Sequence, residues 1–587
     1  MATWFQSMRA RAYGESARRL CALAACAALH CIASTIAHAQ PAQSADPPRR
    51  PKLFTPAPAA APRVQTQGIA LSEVRAGLDE RRELLATRHA YSVISPVPQS
   101  SFDAALAHAR LLARPQDADE GDARLTFDEL GEVLALALSG SIDGHGAIGA
   151  GEFPRSRPSL PVLLQPWEDA ARAGPTIVLA LRPNRTPLDA QHPLHTQLVA
   201  IDGIPTQQWL DAASRFVPSG TRALRDRWSL GLLSSLPLAR RWLEAPAAQA
   251  PVPLASARDR PALLTLANPL DASLATVQVE VALRNVPDEL TPWPARESGM
   301  LDERIAYLRL PSMIGDIAGL REVRRTLDGF ARPQHASSQT TPQSSASSSA
   351  VGSAAKALII DLRGNGGGMR DLIPLLADAL LPKGHPPIVF TASRVLKLPG
   401  ETELARKERT EARDIYLRDD VRLTREQRDA IDRFLTQFVP RVGVSDERFA
   451  PLYFGFLAPA REQSGLGLAG PVIEGPIVVL MDGGCFSAAD VCLAALAEFP
   501  NVTLMGQPSA GGSGFAESML FMQGKAWARL STMATFRRDG SLFDGVGITP
   551  DVLVRAHPTD FVRGGGDAML DEARAFVQRL LDEPAAP

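Results

Sequence analysis

Two short, unbroken apolar runs, each passing straight into a glycine-rich loop, constrain this chain more than any other feature. They are Ala357-Leu358-Ile359-Ile360, followed by Asp361-Leu362-Arg363-Gly364-Asn365-Gly366-Gly367-Gly368, and Ile477-Val478-Val479-Leu480-Met481, followed by Asp482-Gly483-Gly484. Runs of four and five apolar residues, five of the nine β-branched, that lead into glycine read as buried strands. The second loop leads into the Ala-rich stretch from Ser487, which reads as a helix, so the chemistry of an α/β unit is expected at these turns.

A serine between a strand and a helix has two uses. Ser487 can cap the helix. It can also present its hydroxyl as a nucleophile, with the amides of the first helical turn facing the negative charge that develops. The Gly366 and Gly367 amides offer a second approach to such an oxyanion, because a loop without side chains lets backbone come close. A phosphate cradle is the other use of a glycine loop, but neither GxxxxGK[ST] nor GxGxxG spacing is present.

The rest of the chain sets the frame. At 587 residues it exceeds one domain. Its 62 Lys and Arg against 64 Asp and Glu leave a formal charge of −2, which argues against nucleic acid as a main partner. The ten His are scattered without metal-ligand spacing, so no metal and no organic cofactor are expected. Residues 1–39 read as a secretory signal: Arg9, Arg11, Arg18 and Arg19 precede the apolar run LCALAACAALHCIASTIA, and Ala37-His38-Ala39 supplies a cleavage site. An exported, periplasmic or extracellular protein without stable membrane insertion is expected after cleavage. Cys485 and Cys492 are then the remaining cysteines, too few for a disulfide framework.

Residues 40–69 are a Pro/Ala-rich linker. Helical spacing over residues 70–150 predicts a small helical domain that closes in the turn Asp143-Gly144-His145, read as flexible and glycine-flanked. Residues 160–295 mix β-like runs with helices. Residues 296–560 form the unit with the two glycine loops, interrupted by a Ser-rich insert at 333–354, expected to be disordered, and a charged helical insertion at 400–466. Residues 561–587 read as a C-terminal helix and tail.

The motifs IDLRGNGGG, SAAD from Ser487 to Asp490, LMGQPSAGGSG from Leu504 and FDGVGITPDVLV from Phe543 together resemble the C-terminal processing (tail-specific) serine peptidases. The resemblance implies a crotonase/ClpP-like α/β catalytic core after a degenerate PDZ-like middle region carried by Gln197-Leu198-Val199-Ala200-Ile201-Asp202-Gly203-Ile204-Pro205. It implies a peptide or protein substrate and Ser487 as nucleophile. The lysine base of these enzymes has no counterpart in Ala510-Gly511-Gly512-Ser513-Gly514, and Lys525 lies beyond, beside a Gln523-Gly524 turn. The tricorn-type branch takes its base from an upstream histidine, and the Asp143-Gly144-His145 turn is similar to that arrangement. The resemblance therefore implies His145 as base, Asp544 as the group that orients it, with Asp143 and Asp490 as competitors, and the Ala488 amide with Gly366 or Gly367 as oxyanion donors. Two rivals stay open: a Ser487/Lys525 dyad, and a non-catalytic ligand- or peptide-binding protein on the same fold.

Overall fold

The computed structural model describes residues 68–583, apart from 115–122, 152–157, 168–175, 235, 245–259, 286–292, 294–295, 332–353, 382–384, 412 and 458–472. The secretory signal, nearly all of the linker and the Ser-rich insert fall outside the described residues. No described helix is long and apolar enough to cross a membrane.

The two apolar runs are adjacent parallel strands at the centre of a six-stranded sheet. Its order is Gly299–Met300, Ile305–Arg309, Ala357–Asp361, Ile477–Met481, Val502–Gly506, Val552–Leu553, and every pair is parallel except the first. Both central strands are buried at all five positions, as expected when helices cover both faces of a parallel sheet. Asp361 pairs with Leu480, so the strands end level and deliver their glycine loops side by side at one edge of the sheet. One face is covered by the helices Ile317–Ala331, Leu372–Leu380 and Ala488–Leu496, the other by Ala568–Asp582. The helix Ala488–Leu496 is apolar on nearly every side, and eight of its nine residues are buried.

A four-stranded antiparallel sheet stands beside this core, in the order Ile415–Leu417, Phe449–Leu457, Ile388–Leu396, Met533–Arg537. Its second strand corrects the reading of 400–466 as a helical insertion. Glu403–Glu411 and Arg425–Leu435 are helical, the latter started by a Thr424/Gln427 capping box. Phe449–Leu457, however, is a nine-residue strand, because FAPLYFGFL is rich in aromatics that pack on a pleated surface better than on a helix.

The N-terminal helices Leu71–Arg88, Gln99–Leu112 and Phe127–Leu136 pack with Phe521, Met522 and Leu530 in one apolar cluster. The chain leaves them through Asp143-Gly144-His145 and enters the strand Ala147–Ala150, which pairs with Ala526–Ser531 of the hairpin Ala516–Phe521/Ala526–Ser531. The helical segment is thus tied to the core unit by a shared sheet. The middle region is a further antiparallel sheet, in the order Val277–Val281, Ala262–Ala267, Gln197–Ile201, Ile177–Leu181, Leu163–Trp167, packed against the helices Thr206–Ser214 and Arg222–Ser234.

Candidate active site

Ser487 sits between strand and helix with φ +61° and ψ −120°, and its side chain makes no capping hydrogen bond. The capping alternative therefore fails. A non-glycine residue held at such angles costs on the order of 1–3 kcal/mol and persists only where its surroundings enforce it. Here the Phe486 amide donates to the Asn365 carbonyl at 3.0 Å, which locks the serine loop to the glycine loop. Gly367 lies so close that a Cβ on it would meet Phe486 O at 2.6 Å and Ser487 Cβ at 2.7 Å, and its φ of +96° suits glycine alone.

Asn365 is fully buried and organises that loop. Its Nδ2 donates to the Leu310 carbonyl and its Oδ1 accepts from the Gly367 amide, both at 2.9 Å. Asp482 does the same from the neighbouring strand end, accepting from Gly364 N at 2.7 Å, Gly484 N at 2.9 Å and Trp293 Nε1 at 2.6 Å. Asn365→Leu leaves the buried Leu310 carbonyl without a partner, at about 1–3 kcal/mol, and frees the part-buried Gly367 amide. We expect a melting temperature lowered by several degrees in a thermal unfolding scan, and an unchanged value would refute this role for Asn365.

Ser487 Oγ lies 2.8 Å from His145 Nε2, although 342 residues separate them in sequence. The histidine is buried, not the tip of a flexible turn. Asp143 Oδ1 accepts the His145 amide at 2.9 Å and Ser531 Oγ–H at 2.7 Å, while Asp143 Oδ2 accepts Ser531 N at 3.0 Å and lies 2.9 Å from His89 Nε2. Phe486 packs against the His145 ring at 4.6 Å between centroids. Gly512 makes room for that phenyl ring, since a Cβ there would meet Phe486 Cε2 at 2.2 Å.

Asp544 is buried, and its Oδ2 accepts from the Tyr91 hydroxyl and, at 2.9 Å, from the Ser513 amide. Asp544 Oδ1 and His145 Nδ1 are both buried without a hydrogen-bond partner. One ligand atom from each of Asp143, His145 and Asp544 lies within 4.8 Å of the others. The competitors are committed elsewhere: Asp143 caps its own turn and meets His89, while Asp490 accepts from Ser509 Oγ and from the Gly511 and Gly512 amides at 3.2 and 3.1 Å. Lys525 belongs to the far hairpin turn, where its Nζ pairs with Glu73 at 2.6 Å.

The electrostatics divide the charges. Burial, then the charges of Arg529, Arg413 and Arg370, lower the His145 pKa to about 3 against the opposing field of Asp143, so the ring is neutral near pH 7. Burial pushes Asp143 up, but the hydrogen bond and charge of His89, together with His145 and Ser531, outweigh it and hold the carboxyl below its ordinary range. Asp544 is raised, first by burial and then by the charge of Asp143, with Tyr91 and the Ser513 and Gly144 amides opposing. Burial also lifts Asp490 to about 8.

A family model described as Peptidase family S41 matches residues 304–554. The chain carries a peptidase family S41 domain. A curated relative, the carboxy-terminal-processing protease of Bartonella bacilliformis, is 32% identical over 100 residues, which are 17% of this chain and 23% of the relative. The match thus spans less than a quarter of that relative's length. Among solved structures, mature CPAF complexed with lactacystin is 18% identical, covers 87% of this chain and 99% of its own, and superposes with a TM-score of 0.58. Mature CPAF in a further crystal structure is 17% identical, covers 88% and 99%, and gives 0.57. At these identities the likeness establishes a shared mixed α/β, multidomain fold.

The S41 domain holds Ser487, Ala488, Gly366, Gly367 and Asp544, while His145 arrives from outside it. Sequence reasoning missed His89, at the C-terminal end of the helix Leu71–Arg88, and Tyr91, in the short helix Ala90–Ile94 that follows, which reach Asp143 and Asp544, and missed the bracing roles of Asn365 and Asp482. Asn365 could have been singled out as the one polar side chain inside a five-residue glycine loop. His89 and Tyr91 carry no local signal.

Proposed function

We propose that this chain is a serine-type peptidase that cleaves peptide bonds through an acyl-enzyme. The observation that carries the reading is the 2.8 Å approach of His145 Nε2 to the hydroxyl of a serine held in a strained elbow. Ser487 Oγ attacks the peptide carbonyl carbon as His145 takes its proton, and the protonated ring then donates that proton to the departing amine. Water repeats the sequence on the acyl ester and frees Ser487. Asp544 orients the ring and offsets the charge the ring acquires, a role supported by the unpartnered Asp544 Oδ1 and His145 Nδ1. The oxyanion is received by the Ala488 amide at the helix start and by the glycine loop. The Gly367 amide already donates to Asn365 Oδ1, which favours the Gly366 amide as the second donor.

We read residues 160–295 as a PDZ-like region and the core as crotonase-like. The tight Ile201-Asp202-Gly203-Ile204 turn, with Asp202 at φ +53°, supports the first, and the parallel sheet with its buried helix supports the second. Substrates are peptides or proteins met after export, a reading supported by the basic and then apolar N-terminus. The test is labelling by a fluorophosphonate, which reacts with an activated serine. Labelling of the wild type, absent in Ser487→Ala, is expected. Folded wild type that stays unlabelled overturns the reading in favour of a binding protein, and labelling retained in His145→Ala overturns the choice of base.

A further inference from the structure

Three arginines from separate segments pack against Ser513, Phe515 and Ala147, and their charges reach His145. Arg370 follows the glycine loop and its Nη2 donates to the Ser513 carbonyl at 3.4 Å, on the residue whose amide holds Asp544. The Arg413 guanidinium lies 3.6 Å above the centroid of the Phe515 ring, in a shallow cleft it shares with Arg409, Ile415 and Met533. Arg529 pairs across the hairpin with Ser518 and, on its other side, with Ala147, two residues beyond His145. All three are only partly exposed, and the charges of all three reach His145.

The field of Arg370 reaches Arg413, and two like charges so placed are unfavourable unless an anion joins them. Among the described residues, neither Arg370 nor Arg413 has a carboxylate within ion-pair distance. The acidic groups that face them are Asp414, whose charge reaches Arg370, and Glu517, whose charge reaches Arg413 but which lies 3.6 Å from Arg409. Burial lowers Arg370 to about 10, and burial followed by the fields of Arg370 and Arg529 lowers Arg413 to about 9, the mark of cations short of counter-charge. A guanidinium stacked on an aromatic face also keeps its N–H edge free for two-pronged binding of a carboxylate.

We propose that Arg370 and Arg413, flanked by Arg529, form an anion subsite that takes a carboxylate of the bound peptide close to the bond attacked by Ser487. The substrate class is then acidic near the cleavage point, through an Asp or Glu side chain or through the terminal carboxylate of the chain. The proposal rests on the peptidase reading, so its test has one arm without turnover.

Fluorescent peptides carrying Glu or Gln at each position around one bond, each with a free or an amidated C-terminus, are titrated against full-length Ser487→Ala by anisotropy and offered to the wild type for cleavage. The expected result is binding at least about tenfold tighter for one carboxylate form over its neutral isostere, since a hydrogen bond to a charged group is worth that much. The same preference is expected in kcat/KM. Preference for Glu over Gln identifies a side chain, and preference for the free over the amidated end identifies the terminus. Arg370→Gln and Arg413→Gln, each placed in the Ser487→Ala background, should bring the ratio towards one. Equal binding of both forms by Ser487→Ala overturns the subsite whatever the fate of the variants, and so does a ratio unmoved in folded variants. Preferential binding with no wild-type cleavage keeps the subsite and overturns the peptidase reading instead.

Discussion

Ser487→Ala and His145→Ala should each lower kcat for peptide hydrolysis by about a million-fold, and the double variant should be no slower than either single one. The reason is that nucleophile and base act as a unit. Without His145 the hydroxyl keeps its proton, and without Ser487 the ring has nothing to activate. What remains is the contribution of the oxyanion donors and of binding, which neither substitution touches. A double variant slower by the product of the two losses would show that the residues act independently and would sink the assignment. A companion substitution separates chemistry from folding. Ser487→Gly loses the same activity yet gains about 1 kcal/mol of stability, because the φ of +61° that strains serine suits glycine. Active-site titration and thermal melts on one set of proteins check both statements.

The second large effect is at Asp544. Asp544→Asn should lower kcat by about ten-thousand-fold with the fold intact, since an amide facing His145 Nδ1 favours the wrong tautomer and cannot offset the imidazolium charge. The same substitution should stabilise the protein, increasingly so as pH rises. The Asp544 pKa is raised in the folded state, by burial and then by Asp143, so between the unfolded value near 4 and the folded one the native state holds a proton that the unfolded chain has released. Wild-type stability falls with rising pH across that window, whereas asparagine does not titrate. Melting temperatures of the two proteins should coincide near pH 4 and separate towards neutrality. A difference that shrinks with pH would mean that Asp544 is ionised and well paired in the native state. Tyr91→Phe tests the same point through activity. The Tyr91 hydroxyl favours the ionised carboxylate, so its removal should move the acidic limb of the kcat/KM profile to higher pH.

These expectations differ in how far they were legible beforehand. The two central strands could be read from their apolar runs, because that signal is local, whereas the place of Ser487 between strand and helix leaves cap and nucleophile both open until the four motifs are taken together. The segment 400–466 misled because the charged stretch from Ala405 to Phe438 dominates its composition, while the strand Phe449–Leu457 announces itself only through aromatics whose partners lie in Ile388–Leu396. His89 and Tyr91 were invisible for a related reason. His89 is the extended residue between the helices Leu71–Arg88 and Ala90–Ile94, Tyr91 lies in the second of these, and nothing nearby in sequence marks the carboxylates they reach.

From its residues alone the chain dictates two buried strands that lead into glycine loops and a buried helix behind Ser487. Those are matters of local sterics and of apolar surface that must leave water. Tertiary structure alone decided which side chains meet there. The level ends of parallel neighbouring strands place the Asn365 and Phe486 loops in contact, and the pairing of Ala147–Ala150 with Ala526–Ser531 carries His145 across 342 residues to Ser487. Whether a carboxylate faces His145, and whether three arginines stand near it, depends on how separate elements pack, and pairing at that range is set by the whole core, with no trace in any one segment.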